Sequence, residues 1–124
     1  MAIPKKIHYC WFGGNPLNKR TLRYIERWKE LCPDFEFIRW DETNCDMNAN
    51  EYVRGAYQSG KWAFVSDYFR LKALYEQGGV YLDTDVELLR PFGDLLELSG
   101  FAGFEDAEHV ATCVLGAEKE HGFF

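Results

Sequence analysis

At 124 residues the chain reads as a single domain, too short for two independent cores yet long enough to bury one. Hydrophobic residues make up 47% and aromatics 17%, which excludes the low hydrophobicity of a disordered chain. A formal charge of −6 repels a nucleic-acid backbone unless a local basic patch overcomes it, and Lys19, Arg20 and Arg23, interrupted by Glu26, read only as a solvated helix face, so no nucleic-acid partner is expected.

Cys10, Cys32, Cys45 and Cys113 show neither CxxC pairing nor the histidine spacing of a zinc site, and they read as reduced thiols. No basic stretch leads an apolar signal core near the N-terminus, and no apolar run approaches the ~20 residues a membrane helix needs. No transmembrane segment is expected, and the cytoplasm is the simplest compartment.

In chain order, Lys5 to Phe12 reads as a first strand, with Ile7, Tyr9 and Trp11 alternating with His8 and Cys10 until Gly13-Gly14-Asn15-Pro16 breaks it. Asn18 to Leu31 places Leu22, Ile25, Trp28 and Leu31 about one turn apart, an amphipathic helix with Asn18 as N-cap and a stop near Pro33. Phe35 to Trp40 forms a second strand closing on Asp41-Glu42-Thr43-Asn44. A shorter helix around Asn50 to Gln58 ends at Ser59-Gly60. Lys61 to Gln77 is apolar on nearly every side, so a buried helix is expected, stopped by Gly78-Gly79.

Val80-Tyr81-Leu82 is then a short apolar strand that delivers Asp83-Thr84-Asp85 and is expected to continue through Val86 and Leu88. Phe101 to Glu105 and Val110 to Leu115 read as two more strands, and Ala117 onward as the start of a helix. Alternating strands and helices predict an α/β sandwich with a mostly parallel central sheet flanked by helices. The apolar ending at Phe123 and Phe124 predicts either packing back onto the domain or a longer natural chain, and the second is the expectation.

Asp83 and Asp85 are the first candidates for chemistry. A turn at the strand end would bring both carboxylates toward one ion, and their hard oxygens suit Mg²⁺ or Mn²⁺ sharing its coordination with a diphosphate. Paired aspartates are also common as ordinary turn residues. Position favours function here, because open α/β sheets bind ligands at the carboxyl ends of their strands. In the preceding helix Asp67 and Arg70 stand three apart on one face; they either neutralise each other or hydrogen-bond sugar hydroxyls. Trp11, beside Gly13-Gly14, is either a core tryptophan or a platform for a nucleobase. His8 reads as a satisfied core histidine, while His109 and His121 carry no spacing that suggests a ligand.

Three ordered blocks, Ile7-His8-Tyr9-Cys10-Trp11-Phe12-Gly13-Gly14, Ala63-Phe64-Val65-Ser66-Asp67-Tyr68-Phe69-Arg70 and Gly78-Gly79-Val80-Tyr81-Leu82-Asp83-Thr84-Asp85, resemble the DXD sugar-binding glycosyltransferase family. That family includes fungal initiating mannosyltransferases, bacterial capsular-polysaccharide glycosyltransferases and the catalytic domains of clostridial glucosylating toxins. The resemblance implies a GT-A-like fold, a nucleotide-diphosphate sugar donor, a glycan or polysaccharide acceptor, a Mn²⁺ or Mg²⁺ ion, and transfer of a hexose with retention. It implies that Trp11 stacks on the donor base, that Asp67 and Arg70 hold the donor sugar, and that Tyr81 contacts ribose or sugar. It implies Asp85 as the direct metal ligand and Asp83 as a contact to ribose, sugar or a metal-bound water.

Family members are commonly longer, so residues 1–124 are expected to be the N-terminal part of a longer family domain. One alternative is a truncated nucleotide-sugar-binding module without turnover. A second is a haloacid-dehalogenase-like phosphatase, whose first motif is also a strand ending in DxD; here Glu87 stands where that motif needs Thr or Val.

Overall fold

The computed structural model describes residues 3–88, 92–97, 100–104 and 110–120. Its first strand, β1 (Lys6–Cys10), is followed by helix α1 (Lys19–Leu31), strand β2 (Glu36–Trp40), helix α2 (Glu51–Gln58), helix α3 (Trp62–Gln77) and strand β3 (Gly79–Leu82). A 3-10 turn at Gly93–Glu97 precedes strands β4 (Gly100–Phe104) and β5 (Val110–Ala117). One sheet holds all five strands in the order β2-β1-β3-β5-β4.

β1 pairs in parallel with β2 and β3, whereas β5 runs antiparallel to both β3 and β4. The parallel half follows from the helical crossovers between its strands. Only five residues separate Phe104 from Val110, too few for a parallel crossover, so β4 and β5 must run in opposite directions.

Alternation along the strands splits the core into two layers. Ile7 and Tyr9 of β1 join Val80 and Leu82 of β3 against Ile25, Trp28 and Cys32 on the α1 side. Cys10 and Tyr81 face the other way, packing with Val53 and Ala56 of α2 and Val65, Phe69 and Leu74 of α3. The result is the expected α/β sandwich with helices on both faces of the sheet. Trp28 is fully buried and its indole N–H donates to the Val86 carbonyl at 3.0 Å. This bond ties α1 to the chain just beyond Asp85, and truncation of such a tryptophan costs roughly 3–5 kcal/mol.

Asn18 caps α1 as expected, its Oδ1 accepting from the Thr21 amide at 2.8 Å. Asn50 does the same for α2 through the Val53 amide at 2.9 Å. Leu22, however, is 45% exposed while Thr21 is 2% exposed: Thr21, not Leu22, completes the buried stripe with Ile25 and Trp28. Helix α3 is also not buried all round. Val65, Phe69 and Leu74 face the sheet, but Trp62, Phe64, Leu71 and Tyr75 are exposed, because only one face of this helix meets the sheet.

Gly78 and Gly79 stop α3 with φ of 72° and 118°, the left-handed region that favours glycine. A Cβ on Gly79 would stand 2.7 Å from the Lys6 carbonyl oxygen, so only glycine lets β3 pair this closely with β1. Two further expectations change. β3 ends at Leu82 and does not continue through Val86 and Leu88, and Ala117 closes β5 instead of starting a helix, with Lys119 and Glu120 in a turn. Glu105, His109, His121, Phe123 and Phe124 lie outside the described residues.

Candidate active site

Parallel pairing sends the carboxyl ends of β1, β2 and β3 to one edge of the sheet, the edge at which open α/β sheets bind ligands. Trp11 follows β1, Glu42 lies two residues past β2, and Asp83 follows β3. A cleft of about 480 Å³ opens there, lined by Trp11, Arg70, Tyr81, Asp83, Thr84 and Asp85 together with Asn15, Asn18, Arg20, Trp62 and Ser66.

The Asp83-Thr84-Asp85 segment is a turn, closed by a 3.0 Å bond from the Val86 amide to the Asp83 carbonyl. This turn, in place of the expected extended continuation, brings both carboxylates into the wall of one cleft. Asp83 is half-buried and Asp85 exposed. Burial raises the Asp83 pKa, opposed by the Tyr81 hydroxyl and the Arg70 guanidinium.

Arg70 organises what lies beneath. Its guanidinium sits 4.5 Å over the Tyr81 ring, and Nη2 is 3.1 Å from Asp83 Oδ1 and 3.3 Å from Asp67 Oδ1. Nη2 also donates to Ser66 Oγ at 3.0 Å. Ser66 Oγ and the Tyr81 hydroxyl are 3.0 Å apart, and the Tyr81 hydroxyl donates to Asp83 Oδ1 at 2.7 Å. A tyrosine has one proton to give, so with Tyr81 donating to Asp83, Ser66 donates to Tyr81. The chain of donors therefore runs from Arg70 through Ser66 and Tyr81 to Asp83.

The candidate site residues Trp11, Asp67, Arg70, Tyr81, Asp83 and Asp85 all lie among the described residues. Tyr81 is 1% exposed and forms the floor under Asp83, with burial holding its phenol well above the usual value. Asp67 is half-exposed beside Arg70 and is not among the residues of the cleft wall. Trp11 is half-buried at the cleft, its indole N–H donating to the Asn15 carbonyl at 2.7 Å and its backbone amide to the Trp40 carbonyl at 2.9 Å. Arg20, read as part of a solvated face, is exposed but stands in the cleft wall.

His8 is the satisfied core histidine that was expected: Trp40 Nε1 donates to its Nδ1 at 3.0 Å and its Nε2 lies 2.8 Å from the Gly78 carbonyl. Cys10 lies at the base of the cleft, where burial pushes its thiol up to about 11 and so disfavours the reactive thiolate. Cys10, Cys32 and Cys45 are free thiols.

Ser66 and Trp62 carried no motif-level signal of their own. Ser66 precedes Asp67 and completes the donor chain, while Trp62 lies in the cleft wall at the start of α3. Among the described residues no group of three or more His, Cys, Asp or Glu side chains could hold a metal ion. Two hard carboxylates, with no third protein ligand among the described residues, fit an ion that completes its shell with phosphate oxygens and water, as Mg²⁺ commonly does. No helix among the described residues is long and apolar enough to cross a membrane.

Residues 18–102 match the profile of the glycosyltransferase sugar-binding region containing DXD motif, and the chain belongs to that family. It is 29% identical over 126 residues to inositol phosphoceramide mannosyltransferase 3 of Schizosaccharomyces pombe, covering 98% of this chain and 35% of that protein. It is 28% identical over 119 residues to subversion of eukaryotic traffic protein A of Legionella pneumophila, covering 74% and 18%. It is 29% identical over 107 residues to the initiation-specific alpha-1,6-mannosyltransferase of Candida albicans, covering 78% and 28%. The chain thus spans about a third or less of the length of these relatives.

Among solved structures, the PaToxG glycosyltransferase superposes with a TM-score of 0.78 at 18% identity, over 96% of this chain and 55% of that one. A glycosyltransferase involved in glycosylation of the major capsid of PBCV-1 gives 0.52 at 13% identity, over 94% and 61%. These two likenesses bear on the fold, which is that of glycosyltransferases.

Proposed function

We propose that this domain binds a nucleotide-diphosphate sugar in the cleft at the ends of β1 and β3, and that its hexose passes to a glycan acceptor with retention of configuration. The observation that carries this reading is the convergence of Trp11, Arg70, Asp83 and Asp85, from three distant parts of the sequence, on one cleft. The fungal relatives are named as mannosyltransferases, so a mannose donor is the first to test. Residues 1–124 are proposed as the donor-binding part of a longer domain.

In this reading Trp11 offers an aromatic face to the base. Asp83 Oδ1 is already engaged by Tyr81 and Arg70, which leaves Oδ2 for ribose, sugar or a bound water. Asp67, beside Arg70, takes sugar hydroxyls. Asp85, with Asp83, would hold Mn²⁺ or Mg²⁺, and an ion bound there supplies the positive charge that offsets the departing diphosphate. Arg70 keeps Asp83 fixed on one side and Asp67 on the other, so donor contacts are set before the donor arrives.

Binding without turnover is the second reading, since every role assigned above is a contact to the donor or its ion. A screen of nucleotide sugars with Mn²⁺, read both as thermal shift and as release of nucleotide diphosphate, separates the two. Shift with release supports the transferase, shift alone supports the binding module, and neither overturns the proposal.

A further inference from the structure

The β1–β2 ladder does not stop where the strands do. Trp11 donates its amide to the Trp40 carbonyl at 2.9 Å, and the next donor of a parallel ladder, two residues on, is Gly13, whose partner would be the carbonyl of residue 42. The backbone has by then left the sheet, turning at Asp41 with bonds from the Asn44 and Cys45 amides to its carbonyl. The side chain of Glu42 reaches back in its place: Gly13 N donates to Glu42 Oε2 at 2.6 Å. The same oxygen accepts from the Tyr57 hydroxyl at 3.2 Å.

The glycine loop is held on its other side by packing. Gly13 has φ of 105°, and a Cβ there would meet the Trp62 indole at 3.0 Å. Trp62 in turn lies against Tyr57, with ring centroids 5.3 Å apart. Glu42, Tyr57 and Trp62 therefore enclose the turn that directly follows Trp11. Trp11 and Asn15 line both the donor cleft and a neighbouring cleft of about 390 Å³ that contains Gly13, Gly14, Glu42 and Tyr57, so this loop is the partition between the two.

We propose that Glu42 is a positioning residue for donor recognition: its carboxylate stands in for a missing ladder carbonyl, fixes Gly13, and thereby sets the Trp11 and Trp62 walls against which the donor base is received. This rests on the donor-site reading above. Glu42 need not touch the donor, and its contribution is confined to the half of the site that receives the base.

The test compares Glu42→Ala with Glu42→Gln, whose amide oxygen can still accept from Gly13 and Tyr57. Amide exchange at Gly13 is read by NMR, and binding of uridine diphosphate, guanosine diphosphate and inorganic pyrophosphate, each with Mn²⁺, by calorimetry. Glu42→Ala should release the Gly13 amide to fast exchange and weaken whichever nucleoside diphosphate binds by about tenfold, the scale of one lost charge-assisted hydrogen bond. Pyrophosphate affinity should be unchanged, and Glu42→Gln should restore both Gly13 protection and most of the nucleotide affinity. Should Glu42→Ala not fold, Glu42→Asp, one methylene short of Gly13, takes its place with the same expectation.

Unchanged nucleotide binding with Gly13 released, or equal losses for nucleotide and pyrophosphate, overturns the proposal. A wild-type chain that binds pyrophosphate but no nucleoside diphosphate overturns the donor-site reading itself. In that case Gly13 exchange still decides whether Glu42 holds the loop.

Discussion

Arg70 Nη2 stands 3.1 Å from Asp83 Oδ1, which couples the helix before the DXD turn to the turn itself. The guanidinium is nearly buried, with a side-chain exposure of 7% against 28% for Asp83, so the pair is shielded on the protein side and open on the cleft side. Removing the cation leaves Asp83 and Asp67 facing each other without it. Arg70→Ala should cost on the order of 2 kcal/mol, read as a fall in thermal midpoint of about 8 °C. Arg70→Lys should recover only part, because an ammonium cannot lie flat on Tyr81 and reach Ser66, Asp67 and Asp83 together. A midpoint unchanged in Arg70→Ala would contradict the organising role given to this residue.

Trp11 presents a half-buried ring to the cleft. Stacking of a base on an aromatic side chain is worth roughly 1–3 kcal/mol, so Trp11→Ala should weaken nucleoside diphosphate binding by about tenfold or more. Trp11→Phe should lose less, since a smaller aromatic face remains. Equal losses in the two variants, measured by calorimetry, would remove the stacking role.

Asp67 touches Arg70 but does not line the cleft, so any contact it makes is to the sugar and not to the nucleotide. Asp67→Asn should weaken binding of a nucleotide sugar more than binding of the matching bare nucleoside diphosphate. Competition titrations with both ligands decide this, and equal losses would return Asp67 to a purely structural partnership with Arg70.

His8 should make the fold sensitive to acid. Burial lowers its pKa below the usual 6.5, so the folded state holds the ring neutral at pH values where the unfolded chain already takes up a proton. The stability it contributes is complete above about 6.5 and is lost as pH falls from there toward the lowered value. Protonation at Nδ1 would also remove the acceptor for Trp40. Thermal unfolding should show a lower midpoint at pH 5.5 than at pH 7.5, about a unit either side of the usual imidazole value. A neutral substitute, His8→Gln, should flatten that difference. An equal pH slope in His8→Gln would assign the effect to other groups.

Local chemistry made much of this architecture readable. Asn18 and Asn50 precede periodic apolar runs and cap their helices, Gly78 and Gly79 end α3 where no other residue could, and the apolar run before Asp83 is a buried strand. Position at a strand end pointed to the cleft that Trp11, Arg70, Asp83 and Asp85 line, whereas Asp67, chosen with them, stands outside its wall. The antiparallel direction of β5 was not readable, because alternation reports which face a residue occupies and not which way its strand runs. Exposure along α3 was hidden for a related reason: an apolar composition says nothing about whether a second layer covers the outer face. Glu42 and Trp62 escaped notice because their roles depend on contacts with Gly13, 29 positions before Glu42, and no local period encodes a meeting at that separation.

The most direct test of the central claim is calorimetric titration of a nucleotide sugar, with guanosine diphosphate mannose and uridine diphosphate glucose as first probes, into the wild-type chain and Asp85→Ala, each with Mn²⁺ and with a chelator. The account predicts binding by the wild type with Mn²⁺, loss of that binding with the chelator, and loss in Asp85→Ala under either condition. Binding of equal strength with and without the ion, or undiminished in Asp85→Ala, would contradict it.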